Sequence, residues 1–492
     1  MTATELAHFE KTVELPSVRE RIAARAASEP GRALARELAP LGTLVEILEA
    51  QARTKDGVAF AGTLDLSLVV DAGSILERAK ASGRPLDPRE LWLLARTARA
   101  AEAARKAPLG PALAALTVEV DPSFAGRVEA VLDPETAEVK DELVRDVRDA
   151  KAGALAALEE ALVRFAEENG ASVARKDGRP CIATRSPLAG TLVGREGPVS
   201  YFEPDSVRDL ANRTLELELE ESSRVDRFLL ELDALARAHG SMLRDLAARL
   251  ARIDLHLALG RFARELDMCA PELAEEGPLH LEAVRHPLLA ERGGCVPIDV
   301  VLDGTRLLVI TGPNGGGKTV ALKSTGIACF LALSGSFVPA RRARVPVFEA
   351  LLAAAGAPDD LAHGLSTFEV HARRLAAVAT AGPRSLVLLD ELGLGTDPIE
   401  GAALGRALLE HLLARGALVL ATTHLGPLKT FAATTTGAAI ASMEVDAKGR
   451  PVYRLALGKA GESSALEVAR RSGVPASIVA RAEEILRGGR PA

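Results

Sequence analysis

The stretch TGPNGGGKTV, from Thr311 to Val320, limits what this chain can fold into more than any other. Gly312, Gly317, Lys318 and Thr319 satisfy the spacing G-x-x-x-x-G-K-[ST], and the apolar run VLDGTRLLVI stands directly before them. The pattern predicts a buried strand, a glycine-rich loop in which Pro313, Asn314, Gly315, Gly316 and Val320 join those four as nucleotide-binding residues, and a helix after it. The order has a chemical reason. Glycines let successive backbone N–H groups curl around a triphosphate, the Lys318 ammonium can reach the β- and γ-phosphates, and the Thr319 hydroxyl can hold Mg²⁺. The positive end of the following helix then faces the phosphates.

A glycine-rich turn can match this spacing by chance, so the neighbouring runs decide. LVLLDE, Leu386 to Glu391, is apolar and ends in two carboxylates, which suits a second buried strand delivering Asp390 and Glu391 to the same sheet edge. There Asp390 would steady the Mg²⁺ shell and Glu391 would polarise an attacking water. A third run, ALVLATTH, ends in His424, placed to sense the γ-phosphate. Three strand ends with complementary chemistry point to ATP and Mg²⁺ as the ligands, with Lys318, Glu391 and His424 as the catalytic candidates and Thr319 and Asp390 as the metal ligands.

Composition narrows the classes. With 492 residues the chain has room for about three domains. It is 48% hydrophobic and 26% charged, its longest uncharged apolar run is too short to cross a bilayer, and MTATELAHFE is no signal sequence. A cytoplasmic protein with no membrane partner is expected. Cys181, Cys269, Cys295 and Cys329 form no C-x-x-C pair, which argues against a zinc knuckle or a disulfide framework. A net charge of −7 and only 3% aromatics mean that any nucleic-acid contact must come from a local basic patch rather than from the whole surface.

Along the chain, residues 1–135 are predicted to form a helical core domain, broken at Pro16, Pro30, Pro40, Pro85 and Pro108. Residues 136–170 follow as one outgoing lever helix, with Leu143, Val147, Ala150, Ala154, Leu158, Leu162 and Phe165 at coiled-coil spacing. The expected partner is a returning lever helix in 206–275, through Phe228, Leu232, Leu235, Met242, Leu246 and Leu250. Residues 171–205, rich in Gly, Pro, Thr and Val, read as short strands at the tip, with Arg175, Lys176, Arg179, Arg185 and Arg195 outnumbering the acids there. Residues 276–460 alternate strands and helices, and 461–492 give two short amphipathic helices. The expected fold class is an α/β phosphate-loop ATPase domain preceded by an all-α core and lever region with a small β-containing clamp tip.

Two further stretches look like capped helix starts. Ser366 with Glu369, and Asp397 with Pro398 and Glu400, each read as a capping box whose free N–H groups suit a phosphate. Plain capping explains either one alone. Their positions, one ahead of Asp390 and Glu391 and one just behind, resemble the layout of ATPases of the ABC superfamily, which pair head to tail around ATP. TGPNGGGKT, GAPDDLAHGLSTF, LVLLDELGLGTDPIEGAAL, ATTHLGPLK and EAVRHPLL together resemble the MutS family, in particular its type-two bacterial branch.

The resemblance implies that Gly312 to Thr319 cradle ATP, that Asp390 and Glu391 serve Mg²⁺ and water, and that His424 sits near the γ-phosphate. It also implies that Ser366 reaches the nucleotide of a second copy, so that the chain works as a homodimer. The lever and tip match the family's DNA-encircling arms and clamp, and the segment from Ser463 matches its dimer-forming helical end. Ile298, in VPID, departs from the Asn common near the base pocket, and LALSG departs from MAQSG. The Phe-x-Glu wedge of mismatch readers has no counterpart beyond Phe165-Ala166-Glu167 on the lever helix. The expected function is a clamp on branched or recombining DNA that does not read mismatches. The alternative implied by the same branch is a ribosome-associated ATPase acting on stalled or collided ribosomes. A further arm and an Smr nuclease domain, found in longer members, are not expected in this chain.

Overall fold

Ahead of Ser172 the chain is helical, and its breaks fall where the sequence supplies caps and prolines. Thr2 with Glu5 and Thr43 with Glu46 form reciprocal capping boxes at the starts of helices Ala3–Thr12 and Leu44–Ala59. Pro16 sits in the first turn of helix Leu15–Ala23, where its missing N–H costs nothing. The computed structural model describes residues 2–177, 179–313, 315–355, 367–394, 396–446, 450–458, 469–470 and 473–488. They divide into two compact units: one made of 1–67, 104–117 and 249–492, the other of 68–103 and 118–248.

The second unit carries the arm. Helix Arg145–Asn169 stops at Gly170, whose φ of 61° turns the chain out of the helix. Four antiparallel strands follow, β1 (Ser172–Lys176), β2 (Arg179–Thr184), β3 (Thr191–Glu196) and β4 (Val199–Glu203), in the order β1-β2-β4-β3. The chain returns in helix Arg208–Ala238. Leu158, Leu162 and Ala166 bury against Ile182 and Val207, which fixes the tip sheet to the end of the arm. Lower down, polar pairs replace the apolar seam. Glu221 accepts from Arg148 at 2.6 Å and from Lys151, and Asp146 accepts from Arg224 at 2.7 Å.

Three expectations about the arm are corrected by this geometry. The outgoing seam is not continuous, because Ala150 is exposed while Val147, Leu158 and Leu162 are buried. The residues that answer it lie earlier in the sequence than expected. Arg224 already faces Asp146 in the first turn of the outgoing helix, so Phe228, Leu232 and Leu235 lie past its beginning. Asp233 instead accepts from Leu86 N at 2.9 Å, and the His239 ring lies 5.9 Å from that of Phe124. Nor is the return one helix: it breaks at His239 and resumes as Gly240–Glu265.

In the first unit, β5 (Glu272–Ala274), β6 (Leu279–Val284), β7 (Ile298–Leu302) and β9 (Arg342–Pro346) form a sheet in the order β5-β9-β6-β7. A six-stranded sheet combines β8 (Leu307–Thr311), β10 (Ala350–Ala354), β11 (Ser385–Leu389), β12 (Leu418–Thr422), β13 (Ala438–Val445) and β14 (Pro451–Leu457) in the order β10-β11-β12-β8-β13-β14. All its pairs are parallel except β13 with β14. Every residue of β8, β11 and β12 is buried, as their uninterrupted apolar runs require.

The two faces of this sheet enter different cores. Leu308, Ile310, Leu388 and Leu420 pack with Phe9, Val13 and helix Lys318–Leu333; Leu307, Val309, Leu389 and Val419 pack with Leu375, Leu409, Leu412 and Phe431. Burying one such aliphatic side chain contributes about 1.5–3 kcal/mol, so covering both faces dominates what holds the three central strand ends together. Gly260 lets helix Gly240–Glu265 touch helix Leu44–Ala59 backbone to backbone, since a Cβ there would lie 2.2 Å from the Gly57 carbonyl carbon. Among the described residues no helix is long and apolar enough to cross a membrane.

Candidate active site

The register of the central strands decides which side chains meet. Ile310 pairs with Thr422, and Leu389 pairs with Ala421, so the loop after β8, the carboxylates after β11 and the end of β12 emerge at one edge. The loop after β8 is shaped by close approach. Gly312 has φ 133°, and a Cβ there would stand 3.0 Å from Met443 Cβ; Gly317 has φ 96°, and its Cβ would press on Met443 and Tyr453 at 3.2 Å. Only glycine fits both positions without displacing β13 and β14. Gly316 N closes the turn on Pro313 O at 3.1 Å.

Lys318 begins helix Lys318–Leu333 and is 7% exposed. Its ammonium donates to Gly312 O at 2.9 Å and Pro313 O at 3.0 Å. Burial lowers its pKa, and Glu391 and Asp390 oppose that shift. Thr319 donates from Oγ1 to Asp390 Oδ1 at 3.3 Å. Asp390 Oδ1 also accepts from Thr422 Oγ1 at 2.6 Å, and Thr422 Oγ1 in turn accepts from Glu391 N at 2.7 Å. Glu391 has φ 54°, a left-handed conformation that a non-glycine residue adopts at a cost of about 1–3 kcal/mol unless its surroundings impose it. The surroundings here are hydrogen bonds to β12, one from Glu391 N to the Thr422 hydroxyl and one from Leu392 N to Thr422 O at 2.9 Å.

A cleft of about 540 Å³ opens beside these groups. Gly315, Gly317, Lys318, Thr319 and Glu391 line its polar side, with Val320 beside them in the sequence. Val284, Leu289, Ile298, Met443 and Tyr453 form its apolar side, with Cys295 among them. A donor-rich glycine loop, a buried ammonium, a hydroxyl and carboxylate in contact, and an adjacent apolar slot fit a Mg²⁺-nucleoside triphosphate. Ile298 belongs to this wall and is 7% exposed, so it presents a hydrocarbon where an amide side chain would present hydrogen-bonding atoms.

The remaining candidates are placed as follows. His424 is exposed, two residues past the end of β12. Asp397 caps helix Pro398–Ala414, its Oδ1 accepting from Ile399 N at 2.9 Å and Glu400 N at 3.3 Å. The reciprocal half of that capping box does not form as expected: Glu400 accepts from the Thr396 hydroxyl at 3.4 Å. Asn314 and Ser366 lie outside the described residues, as does Ser463. Thr422, Met443 and Tyr453 are site residues that sequence reasoning missed. For Thr422 a signal existed, since a hydroxyl pair, Thr422 and Thr423, ends an otherwise apolar strand.

Residues 308–488 match the model of MutS domain V. A Thermomicrobium roseum protein named Endonuclease MutS2 is 37% identical over 534 residues, covering 98% of this chain and 66% of the relative. The proteins of the same name from Thermus thermophilus and Pelotomaculum thermopropionicum are 37% and 35% identical, covering 98% and 97% of this chain and 66% and 64% of theirs. The chain thus spans slightly less than two thirds of the length of these curated relatives. The match covers nearly the whole of this chain, helical and arm regions included, and the chain belongs to the MutS family, in its type-two branch.

Proposed function

We propose that this chain is a Mg²⁺-dependent ATPase, working as a homodimeric clamp that grips DNA by shape and backbone rather than by sequence. The observation that carries the reading is the meeting of Lys318, Thr319, Asp390 and Glu391 at one sheet edge beside a cleft of nucleotide size. Thr319 and Asp390 are the groups that would hold Mg²⁺, whose charge neutralises that developing on the transferred phosphoryl group. Lys318 binds phosphate oxygens, Glu391 orients the attacking water, and His424 faces the γ-phosphate. No covalent nucleophile is required, because positioning and charge neutralisation supply most of the catalysis in phosphoryl transfer.

The homodimer reading places Ser366 of a second copy, and the helix start at Asp397, against the nucleotide. It is supported by exposed apolar side chains around that helix start, where Ile399 is 81% exposed and Leu394 and Leu404 are exposed as well. A nucleic acid as the substrate is supported by the name Endonuclease borne by the relatives and by the basic tip, and DNA is the one we assign. There Arg175 and Lys176 are paired with Glu159 and Glu196, which leaves Arg179, Arg185 and Arg195 as the phosphate contacts we assign.

Replacing Glu391 by Gln tests the chemistry. Nucleotide binding and dimerisation should persist while turnover falls by about 100-fold or more. Hydrolysis at the parent rate would remove Glu391 from its role. With ATP bound, the same variant should hold branched duplexes with a steep salt dependence. Retention on collided ribosomes but not on branched DNA would overturn the DNA assignment.

A further inference from the structure

Thr422 is fully buried at the end of β12, and its hydroxyl has used both the donor and an acceptor site inside the catalytic edge. The O–H donates to Asp390 Oδ1 at 2.6 Å, the shorter of the two side-chain contacts to that oxygen, the other being Thr319 at 3.3 Å. The Thr422 hydroxyl oxygen in turn accepts from Glu391 N at 2.7 Å. One atom therefore sets the carboxylate we assign to Mg²⁺ and the backbone of the carboxylate we assign to water. It lies on a different strand from both, two residues before His424.

We infer that Thr422 is the positioning residue of this site, orienting Asp390 toward the metal and holding Glu391 in the left-handed turn that aims its side chain into the cleft. The inference rests on the ATPase reading above. Its physical content is that the turn after β11, closed on itself by Leu394 N on Glu391 O at 3.2 Å, is anchored to β12 through Thr422. Glu391 at φ 54° has no glycine's freedom, and its N–H is satisfied by a side chain from β12 rather than by its own loop. Remove the hydroxyl and two groups lose a partner at once: the part-buried Glu391 amide and an oxygen of Asp390. The shape of the site would survive, since valine fills the same volume. The alignment would not, and misplacing reacting groups by about 1 Å can cost about 100-fold in rate.

The apolar strand around Thr422 explains why a hydroxyl there is not a packing choice. Val419, Leu420 and Ala421 precede it, each buried against one of the two cores. A fourth apolar residue would satisfy the strand equally well, whereas only Ser or Thr can donate to Asp390 and accept from Glu391 N through the same atom.

The test compares Thr422→Val and Thr422→Ser with the parent chain in three measurements: kcat and KM for ATP, the Mg²⁺ concentration for half-maximal ADP binding by calorimetry, and thermal unfolding. We expect Thr422→Val to lower kcat by about 10- to 100-fold with KM within about threefold, and to raise the Mg²⁺ requirement of ADP binding several-fold. Thr422→Ser should restore both. A Val variant with parental kcat and parental Mg²⁺ requirement overturns the inference, as does a Ser variant as impaired as Val, which would make the methyl group and not the hydroxyl the active part. Should the parent chain bind Mg²⁺ and ADP without hydrolysing ATP, the ATPase reading fails on its own, and the shift in Mg²⁺ requirement alone decides the role of Thr422. Unfolding profiles that coincide for Val and parent separate misalignment from loss of fold.

Discussion

Thr319 Oγ1 stands 3.3 Å from Asp390 Oδ1, joining the first turn of the phosphate-loop helix to the end of β11. Two oxygens at this separation, one a hydroxyl and one a carboxylate, are what a hard divalent cation seeks at neighbouring ligand positions, directly or through its waters.

The first prediction follows from their different charges. Asp390→Asn keeps an oxygen in place but removes the negative charge that the cation needs. ADP binding without Mg²⁺ should stay within about threefold of the parent, whereas the Mg²⁺ needed for half-maximal hydrolysis should rise at least about tenfold. A Mg²⁺ titration of steady-state ATP hydrolysis reads this directly. An unchanged half-saturation point would move the metal site elsewhere.

A second prediction concerns acid stability. His256 is 6% exposed, and its Nδ1 lies 3.1 Å from the Thr54 hydroxyl, which itself donates to Gly335 O at 2.8 Å just past the phosphate-loop helix. Burial, helped by the charges of Arg53 and Arg252, lowers its pKa to about 3. The unfolded chain, with an imidazole pKa near 6.5, therefore binds a proton that the folded chain refuses between these two values. Stability must fall as pH drops through that window, by about 2 kcal/mol between pH 7 and pH 5 from this group alone. Urea unfolding of the parent at pH 7, 6 and 5 should show the decline, and His256→Gln should flatten it. Equal slopes for the two proteins would assign the acid limb to other groups.

What the sequence made legible, and what it did not, follows one physical division. β8, β11 and β12 could be read because each is buried on both faces and so carries an unbroken apolar run, and the loop could be read because its glycines are forced by contacts such as Gly312 with Met443. The position of Asp390 and Glu391 at the same edge follows from parallel strands of equal length. The returning segment could be named as the partner of the outgoing arm helix, but its register against that helix was not legible. Helical spacing tells which face of Arg145–Asn169 is apolar, but not which of several equally spaced leucines on the return meets it, and here the decisive contacts are charged, Asp146 with Arg224 and Glu221 with Arg148. Thr422 escaped for another reason: a β-branched residue at a strand end is ordinary until its two hydrogen-bond partners, 31 and 32 residues away, are seen.

Those charged contacts supply the last prediction. Glu221 accepts hydrogen bonds from Arg148 and Lys151, which together hold its pKa below the usual carboxylate value. A carboxylate lowered in this way contributes stability that is complete above its unfolded pKa and is lost as pH falls through the lower folded value. Glu221→Gln removes the charge and not the shape, and should loosen the middle of the arm by about 1 kcal/mol at pH 7, the upper end for a partly exposed ion pair. Leu158→Ala, at the buried end of the same arm, should cost about 2–5 kcal/mol, because it leaves a cavity against Ile182 and Val207 rather than an unpaired cation near solvent. Amide hydrogen exchange distinguishes the two. Glu221→Gln should speed exchange in the middle of helix Arg208–Ala238 near neutral pH, less so in high salt, where the parent pair is already screened. Leu158→Ala should speed exchange in β2 and the first turns of helix Arg208–Ala238 at any salt concentration. Identical exchange in Glu221→Gln and parent at low salt would mean that the arm is held by its apolar end alone.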